Sequence, residues 1–234
     1  MLGWLRSHNL VWILFIALIF WIAWTLINSK KLKLKAYQAI ISTVLQLLIA
    51  VFYLKLFAWF EALFSGQPPA SLRLYGPIFF VPLSFFIQAK ITKCDPKIVF
   101  DTMIVGVVFA IMLGRGNCLI VGCCGGRPLG DSGIILPIRE IEMALNGLFV
   151  LIAAPMVAKG KTHGKVYPIY LIVYGAFRFI AEFARDEGAP IFGVEILHLA
   201  HIWSLISVIA GVIILVIMTR KEKQNQKHNK KRRA

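Results

Sequence analysis

The stretch Gly114-Arg115-Gly116-Asn117-Cys118-Leu119-Ile120-Val121-Gly122-Cys123-Cys124-Gly125-Gly126-Arg127-Pro128 separates two long apolar segments. It reads as an irregular, glycine-rich break, and it carries two arginines, an asparagine and three of the four cysteines. Irregular backbone at membrane depth is tolerated only where protein buries it or where it lines a wet cavity. Charged groups at that depth are costly enough to mark a functional site. The rest of the chain is read as the scaffold around such a cavity.

The bulk composition supports this setting. Of 234 residues, 59% are hydrophobic, and the mean hydropathy of +0.75 lies far above that of a soluble domain. Several apolar runs reach the roughly 20 residues that cross a bilayer. The pattern predicts an all-α integral membrane protein with seven transmembrane helices, at about 10–28, 37–63, 76–90, 98–114, 140–158, 166–185 and 195–219. The first run reads as a retained span, since it is long for a cleavable leader. A single membrane domain, 1–219, is expected, followed by a basic cytoplasmic tail, 220–234, that is disordered and touches anionic lipid. The net charge of +15 raises nucleic acid as a partner, but the charges sit in short connections and the tail, so none is expected.

Lysine sets the orientation. Lys30, Lys31, Lys33 and Lys35 follow the first span, Lys90, Lys93 and Lys97 the third, and Lys159, Lys161 and Lys165 the fifth. Every second connection is therefore lysine-rich and cytoplasmic, which places the N-terminus outside and the C-terminus in the cytoplasm.

Arginine is distributed the other way. Before the tail, Arg6, Arg73, Arg115, Arg127, Arg139, Arg178 and Arg185 all fall outside or in the outer half of a span. Orientation pressure that merely spares arginine is one reading. The other is a site for an anionic headgroup, because a guanidinium holds phosphate or carboxylate through two parallel hydrogen bonds. The sixth span favours the second. Tyr174, Arg178, Glu182 and Arg185 lie along one helix face, extended inward by Tyr170 and Tyr167. Arg178 is roughly 10 Å deeper than Arg185 at the α-helical rise. Glu182 is within a turn of both arginines and would orient them, whether for a ligand or as an ion-pair ladder between helices.

The cysteines leave three readings open: a nucleophile activated by nearby arginines, a disulfide (Cys118 with Cys123, or Cys123 with Cys124), or close packing of small residues. Cys94, in a lysine loop, reads as an ordinary thiol. Glu195, His198 and His201, spaced by three, would share a helix face able to hold a metal, although no metal or cofactor is expected.

Two blocks resemble the prolipoprotein diacylglyceryl transferase family. One is Gly114-Arg115 with its glycine-rich turn to Gly126-Arg127-Pro128; the other is Tyr174-Gly175-Ala176-Phe177-Arg178-Phe179-Ile180-Ala181-Glu182-Phe183-Ala184-Arg185. A third, Leu136-Pro137-Ile138-Arg139-Glu140-Ile141-Glu142, falls where that family has His-Pro-Ser-Gln-Leu-Tyr-Glu. The resemblance covers about residues 70 to 215. It implies a seven-span enzyme of the bacterial cell membrane that moves the diacylglyceryl group of phosphatidylglycerol onto a lipobox cysteine of a prolipoprotein. It further implies catalytic roles for Arg178, Tyr174, Glu182 and Glu142, and substrate binding by Arg115, Arg127 and Arg185; Arg139, Asn117 and Cys123, which lie in the same blocks, are added as candidate substrate-binding residues. The general base remains open among Glu182, Glu142 and Tyr174.

The chain also departs from the family. The histidine of the family's His-Gly-Gly block is missing near Leu74-Tyr75-Gly76, and Cys118 and Cys123 stand where the signature has Asn and Glu. A divergent member with a thiol or hydroxyl acceptor is therefore expected. The alternatives are a non-enzymatic lipid-binding or lipid-translocating protein, and a small transporter for an organic anion.

Overall fold

The computed structural model describes residues 9–65, 74–123, 125–126, 128, 133–185, 190–191 and 194–233, without the side chains of 64–65, 190–191, 194–197 and 225–233. Arg6, Arg73, Cys124 and Arg127 lie outside the described residues.

Among the described residues seven helices form: α1 (Asn9–Ile27), α2 (Ala36–Ser65), α3 (Tyr75–Thr92), α4 (Pro96–Val121), α5 (Ile138–Ala158), α6 (Val166–Glu182) and α7 (Leu199–Arg233). Between α6 and α7, β1 (Pro190–Ile191) and β2 (Val194–His198) pair as a short antiparallel ribbon. Among the described residues, five helical segments are long and apolar enough to cross a membrane: Asn9–Ile27, Ala36–Leu63, Pro96–Val121, Ile138–Ala158 and Leu199–Gln224. The remaining two helices, α3 and α6, have 18 and 17 residues. Both are largely buried, so protein rather than lipid receives many of their side chains. The architecture is that of an integral membrane helical protein.

Three sequence expectations are corrected. The glycine-rich stretch is not irregular from Gly114 onward, because α4 runs through Val121 and ends at Gly122, whose φ of 81° supplies the left-handed cap. Glycine costs about 1 kcal/mol inside a helix, but here packing against α5 overrides that cost. A Cβ at Gly147 on α5 would lie 3.2 Å from Met112 Sδ on α4, and one at Gly116 would lie 3.7 Å from Met143 Sδ. The seventh helix starts at Leu199, since 194–198 is extended by pairing with β1. Glu195 therefore does not share a helix face with His198 and His201, and its side chain lies outside the described residues. Finally, α7 continues as helix through Arg233, where a disordered tail is expected.

Local signals explain the best-defined helix. Asp95 caps α4 by accepting the Lys97 amide at 2.9 Å, with Pro96 at the first helical position. Along its length α4 receives Trp21 of α1: a Cβ at Gly106 would lie 2.3 Å from the indole, so only glycine admits the ring. Trp24 Nε1 donates to Thr102 O at 2.8 Å beside it.

The lysine-rich connections gather at one end of the bundle. Lys31 Nζ donates to Val157 O at 3.1 Å and also to Ala158 O, while Lys33 Nζ donates to Lys93 O at 2.8 Å. Lys165 pairs with Glu222 of α7 at 2.8 Å. Buried Asp101 accepts from Thr162 Oγ1 (2.5 Å), Gly164 N (2.6 Å) and Val166 N (2.9 Å). It thus satisfies amides at the start of α6 that no residue of α6 could reach. The connections after α1, α3 and α5 and the end of α7 therefore share one face, as the alternation of lysine requires.

Candidate active site

At the other end, three helices meet on one carboxylate. Glu142 of α5 is fully buried (0% exposed). Its Oε1 takes Arg115 Nε of α4 at 2.8 Å and the Tyr174 hydroxyl of α6 at 2.8 Å. Its Oε2 faces Arg178 Nη1 at 3.5 Å and Arg185 Nη1 at 3.9 Å. One turn away, Asn146 donates to Glu142 O at 2.7 Å and accepts the Tyr170 hydroxyl at 2.9 Å. A carboxylate this deep is sustained only by cations and donors on both oxygens.

Glu182 forms the second centre. It takes Arg178 Nη2 at 2.8 Å one turn earlier, lies 3.8 Å from Arg185 Nε, and faces His198 Nδ1 at 3.3 Å. The His198 amide in turn donates to His201 Nδ1 at 3.0 Å, which ties the end of β2 to the first turn of α7. Of the stripe expected along α6, Tyr174, Arg178 and Glu182, with Arg185 just past the helix end, converge with Arg115 and Glu142 from two other helices, whereas Tyr167 donates to Ile78 O at 3.0 Å instead.

The electrostatics leave a surplus. Arg115, Arg178 and Arg185 face two carboxylates, Glu142 and Glu182, all five being buried, so one positive charge is unmatched within the cluster. Arg178 Nη1 and Arg185 Nε and Nη1 are buried and make no hydrogen bond among the described residues; they face Glu142 Oε2 and Glu182 Oε2 at 3.5–3.9 Å, oxygens that are likewise without one. Buried groups in that state are costly, and an oxygen ligand would satisfy the donors. Their charge and fork geometry suit phosphate.

The other predicted residues are placed differently. Arg139 Nη1 donates to Cys123 O at 3.1 Å and reaches Cys118 O at 3.5 Å, with Glu140 at 3.7 Å. It sits at the C-terminus of α4, where a cation complements the helix dipole. Asn117 lies two residues beyond Arg115 on α4 and so occupies a different face of that helix. Cys123 enters through its main chain, whose amide donates to Cys118 O at 3.1 Å. Beyond it, Gly126 pairs with Arg185 as an isolated bridge, which lays the glycine-rich connection against the end of α6. A Cβ at Gly126 would lie 2.5 Å from Leu136 O, so glycine is needed there.

Asn146, the contact of His198 with Glu182 and the Tyr75–Ser204 pair are not anticipated from the sequence. Tyr75, in the block that lacks the family histidine, places its hydroxyl 2.5 Å from Ser204 Oγ and its ring edge-on to Tyr174 at 6.0 Å. Asn146 was readable in principle, since it falls four residues after Glu142 on the same face. Among the described residues, no group of three His, Cys, Asp or Glu side chains is arranged to hold a metal.

The protein is a membrane helical bundle that gathers three buried arginines around two buried carboxylates. The family model described as prolipoprotein diacylglyceryl transferase matches residues 5–217, and the chain belongs to that family. Among curated relatives, the phosphatidylglycerol–prolipoprotein diacylglyceryl transferase of Clostridium tetani is 27% identical over 158 residues, 62% of this chain and 63% of that protein. One from Dehalococcoides mccartyi is 21% identical over 237 residues, 91% of this chain and 88% of the relative. A second clostridial enzyme, from Clostridium perfringens, is 28% identical over 158 residues, 60% of each chain. The chain therefore spans somewhat under two thirds of the clostridial relatives it matches.

Proposed function

We propose that this protein transfers the diacylglyceryl group of phosphatidylglycerol to the lipobox cysteine of a prolipoprotein, at the outer face of a bacterial plasma membrane. The observation that carries the reading is the surplus of three buried guanidiniums, Arg115, Arg178 and Arg185, over two carboxylates, with Arg178 Nη1 and Arg185 Nε and Nη1 held only in ion pairs of 3.5–3.9 Å among the described residues. In this reading they bind the phosphodiester. The thiolate sulfur of the acceptor attacks the diacylglyceryl carbon that bears the phosphate. A C–S bond forms as the C–O bond breaks, and glycerol phosphate leaves with the electron pair. The thiol proton passes to a protein base before or during attack, and the arginines neutralise charge that builds on the departing phosphate.

Among the three candidate bases, Glu182 fits best. Glu142 has one oxygen taken by Arg115 and Tyr174 and the other facing Arg178 and Arg185. The Tyr174 hydroxyl is spent on Glu142. Glu182 keeps Oε1 for His198 alone, at the ribbon end of the site. Arg139 acts as a positioning residue, holding the turn after α4 by its carbonyls.

The test uses the purified full chain, phosphatidylglycerol vesicles and a lipobox peptide, read by the mass of the peptide. The expected result is one diacylglyceryl added per peptide, and little or none with Arg178→Ala. The absence of histidine at Leu74-Tyr75-Gly76 favours one rival, a lipid-binding protein without turnover. Phosphatidylglycerol recovered intact with every acceptor tried would establish that rival instead.

A further inference from the structure

At the lysine-rich end, far from the arginine cluster, the facing sides of α2 and α3 carry a polar residue at every turn. Gln38, Ser42 and Gln46 rise along α2, and Ser84, Gln88 and Thr92 along α3, each set spaced by four and four. Side chains so spaced would zip two membrane helices together if they met throughout. They meet only at the inner end: Gln46 Nε2 donates to Gln88 Oε1 at 3.2 Å, and Ser84 Oγ donates to Gln46 Oε1. Beyond this the helices frame a groove of about 470 Å³. Its lips are the exposed Ile41, Leu45, Ile87 and Ile91, which face lipid.

The floor carries an unmet demand. Gln88 lines the groove and is 7% exposed; its Oε1 accepts from Gln46, yet its Nε2 has no acceptor among the described residues. In hydrocarbon such an amide costs free energy until an acceptor arrives. At the mouth, Lys33 also lines the groove and is anchored on Lys93 O at 2.8 Å, which uses one of its three ammonium donors. Gln88 precedes Lys93 by five residues, so amide and ammonium lie about 8 Å apart along the helix axis. That is a span bridged by the few bonds between the phosphate and an acyl ester of one glycerophospholipid.

We infer that this groove is a second lipid site, taking an anionic glycerophospholipid with its phosphate at Lys33, an ester carbonyl on Gln88 Nε2 and one acyl chain between Ile41, Leu45, Ile87 and Ile91. The site is independent of the transferase reading, because it shares no residue with the arginine cluster. It selects charge through Lys33 and depth through Gln88, whereas the apolar lips by themselves would take any lipid tail.

The experiment uses the full chain carrying Arg178→Ala, so that the arginine cluster contributes no lipid, reconstituted with equal phosphatidylglycerol and phosphatidylcholine. The chain is then extracted into detergent, and retained lipid is counted per chain by mass spectrometry. One phosphatidylglycerol is expected to remain. Adding Gln88→Leu with Lys33→Gln lowers its retention by at least about fivefold, a change worth about 1 kcal/mol. Ile87→Trp, which fills the groove from an exposed position, produces the same loss without altering the polar floor, and a thermal melt of each variant confirms that it is folded. Retention unchanged in both the polar and the filling variants overturns the site. So does equal retention of the two lipids, which would make the groove an unselective seat for acyl chains.

Discussion

Tyr174 donates its hydroxyl to Glu142 Oε1 at 2.8 Å, on the same oxygen that receives Arg115 Nε at 2.8 Å. Removing only the hydroxyl and removing only the charge therefore test different parts of one contact. Tyr174→Phe deletes a hydrogen bond to a charged group, worth roughly 1.5–3 kcal/mol. Glu142→Gln leaves buried guanidiniums uncompensated and is expected to cost more, roughly 3–5 kcal/mol. Thermal melting in one detergent ranks the two. Equal, small shifts would show that this carboxylate does not organise the site.

Arg178 bridges the two carboxylates, 2.8 Å from Glu182 and 3.5 Å from Glu142. Arg178→Ala is expected to lower transfer by roughly 10²–10³-fold, the scale of losing one group that stabilises developing charge. Arg178→Lys keeps the charge but cannot reach both carboxylates and a phosphate, so it recovers only a small part of the rate. Full activity in the lysine variant would reduce the role of Arg178 to charge alone.

The Cys123 carbonyl accepts from Arg139 at 3.1 Å. Cys123→Ala preserves that carbonyl and is expected to leave transfer within about twofold, whereas Arg139→Ala removes a helix-end cation worth about 0.3–1 kcal/mol and lowers stability. A large loss of transfer in Cys123→Ala would instead make its thiol a participant.

Asp101 holds the opposite end by accepting from Thr162, Gly164 and Val166. Asp101→Asn turns an acceptor into a partial donor facing two amides, and a destabilisation of roughly 2 kcal/mol is expected. The melting temperature should drop while the rate per folded molecule stays the same, because no atom of Asp101 approaches the arginine cluster.

Cys94 lies in the turn between α3 and α4, with its Sγ donating to Lys31 O at 3.2 Å. Burial pushes its thiol above the ordinary value, partly opposed by the charge of Lys33. Alkylation by iodoacetamide in the folded chain should be slower at neutral pH than for an unfolded control, and should accelerate only at a higher pH. The sign for stability follows. The thiol contribution is intact below the unfolded pKa and is lost as pH rises through the folded one. Alkylation as fast as in the unfolded control would contradict the burial.

The membrane setting and all seven helices were legible because apolar run length and lysine placement report directly on bilayer thickness and orientation. Arg115, Arg178 and Glu182 were legible because a charge inside an apolar run has few reasons to be there. What stayed hidden depends on partners distant in sequence. The helical continuation from Gly114 to Val121 follows from contact with α5, which glycine propensity does not encode. Asn146 gains meaning only when α6 brings Tyr170 against it, and Glu142, named from the family block, shows its partners only when α4 and α6 bring Arg115 and Tyr174 to it. The spacing of Glu195, His198 and His201 suggested one helix, whereas strand pairing broke it and left His198 to Glu182. Arg139 looked like another ligand-seeking arginine, and only the end of α4 revealed the carbonyls it was meeting.

Because Gly126 and Arg185 share a backbone bridge, the glycine-rich connection and the residue that carries one of the buried guanidiniums are fastened main chain to main chain. Displacing either strand would pull on the other, so a substitution at Gly126 is felt at the arginine cluster without touching any of its side chains.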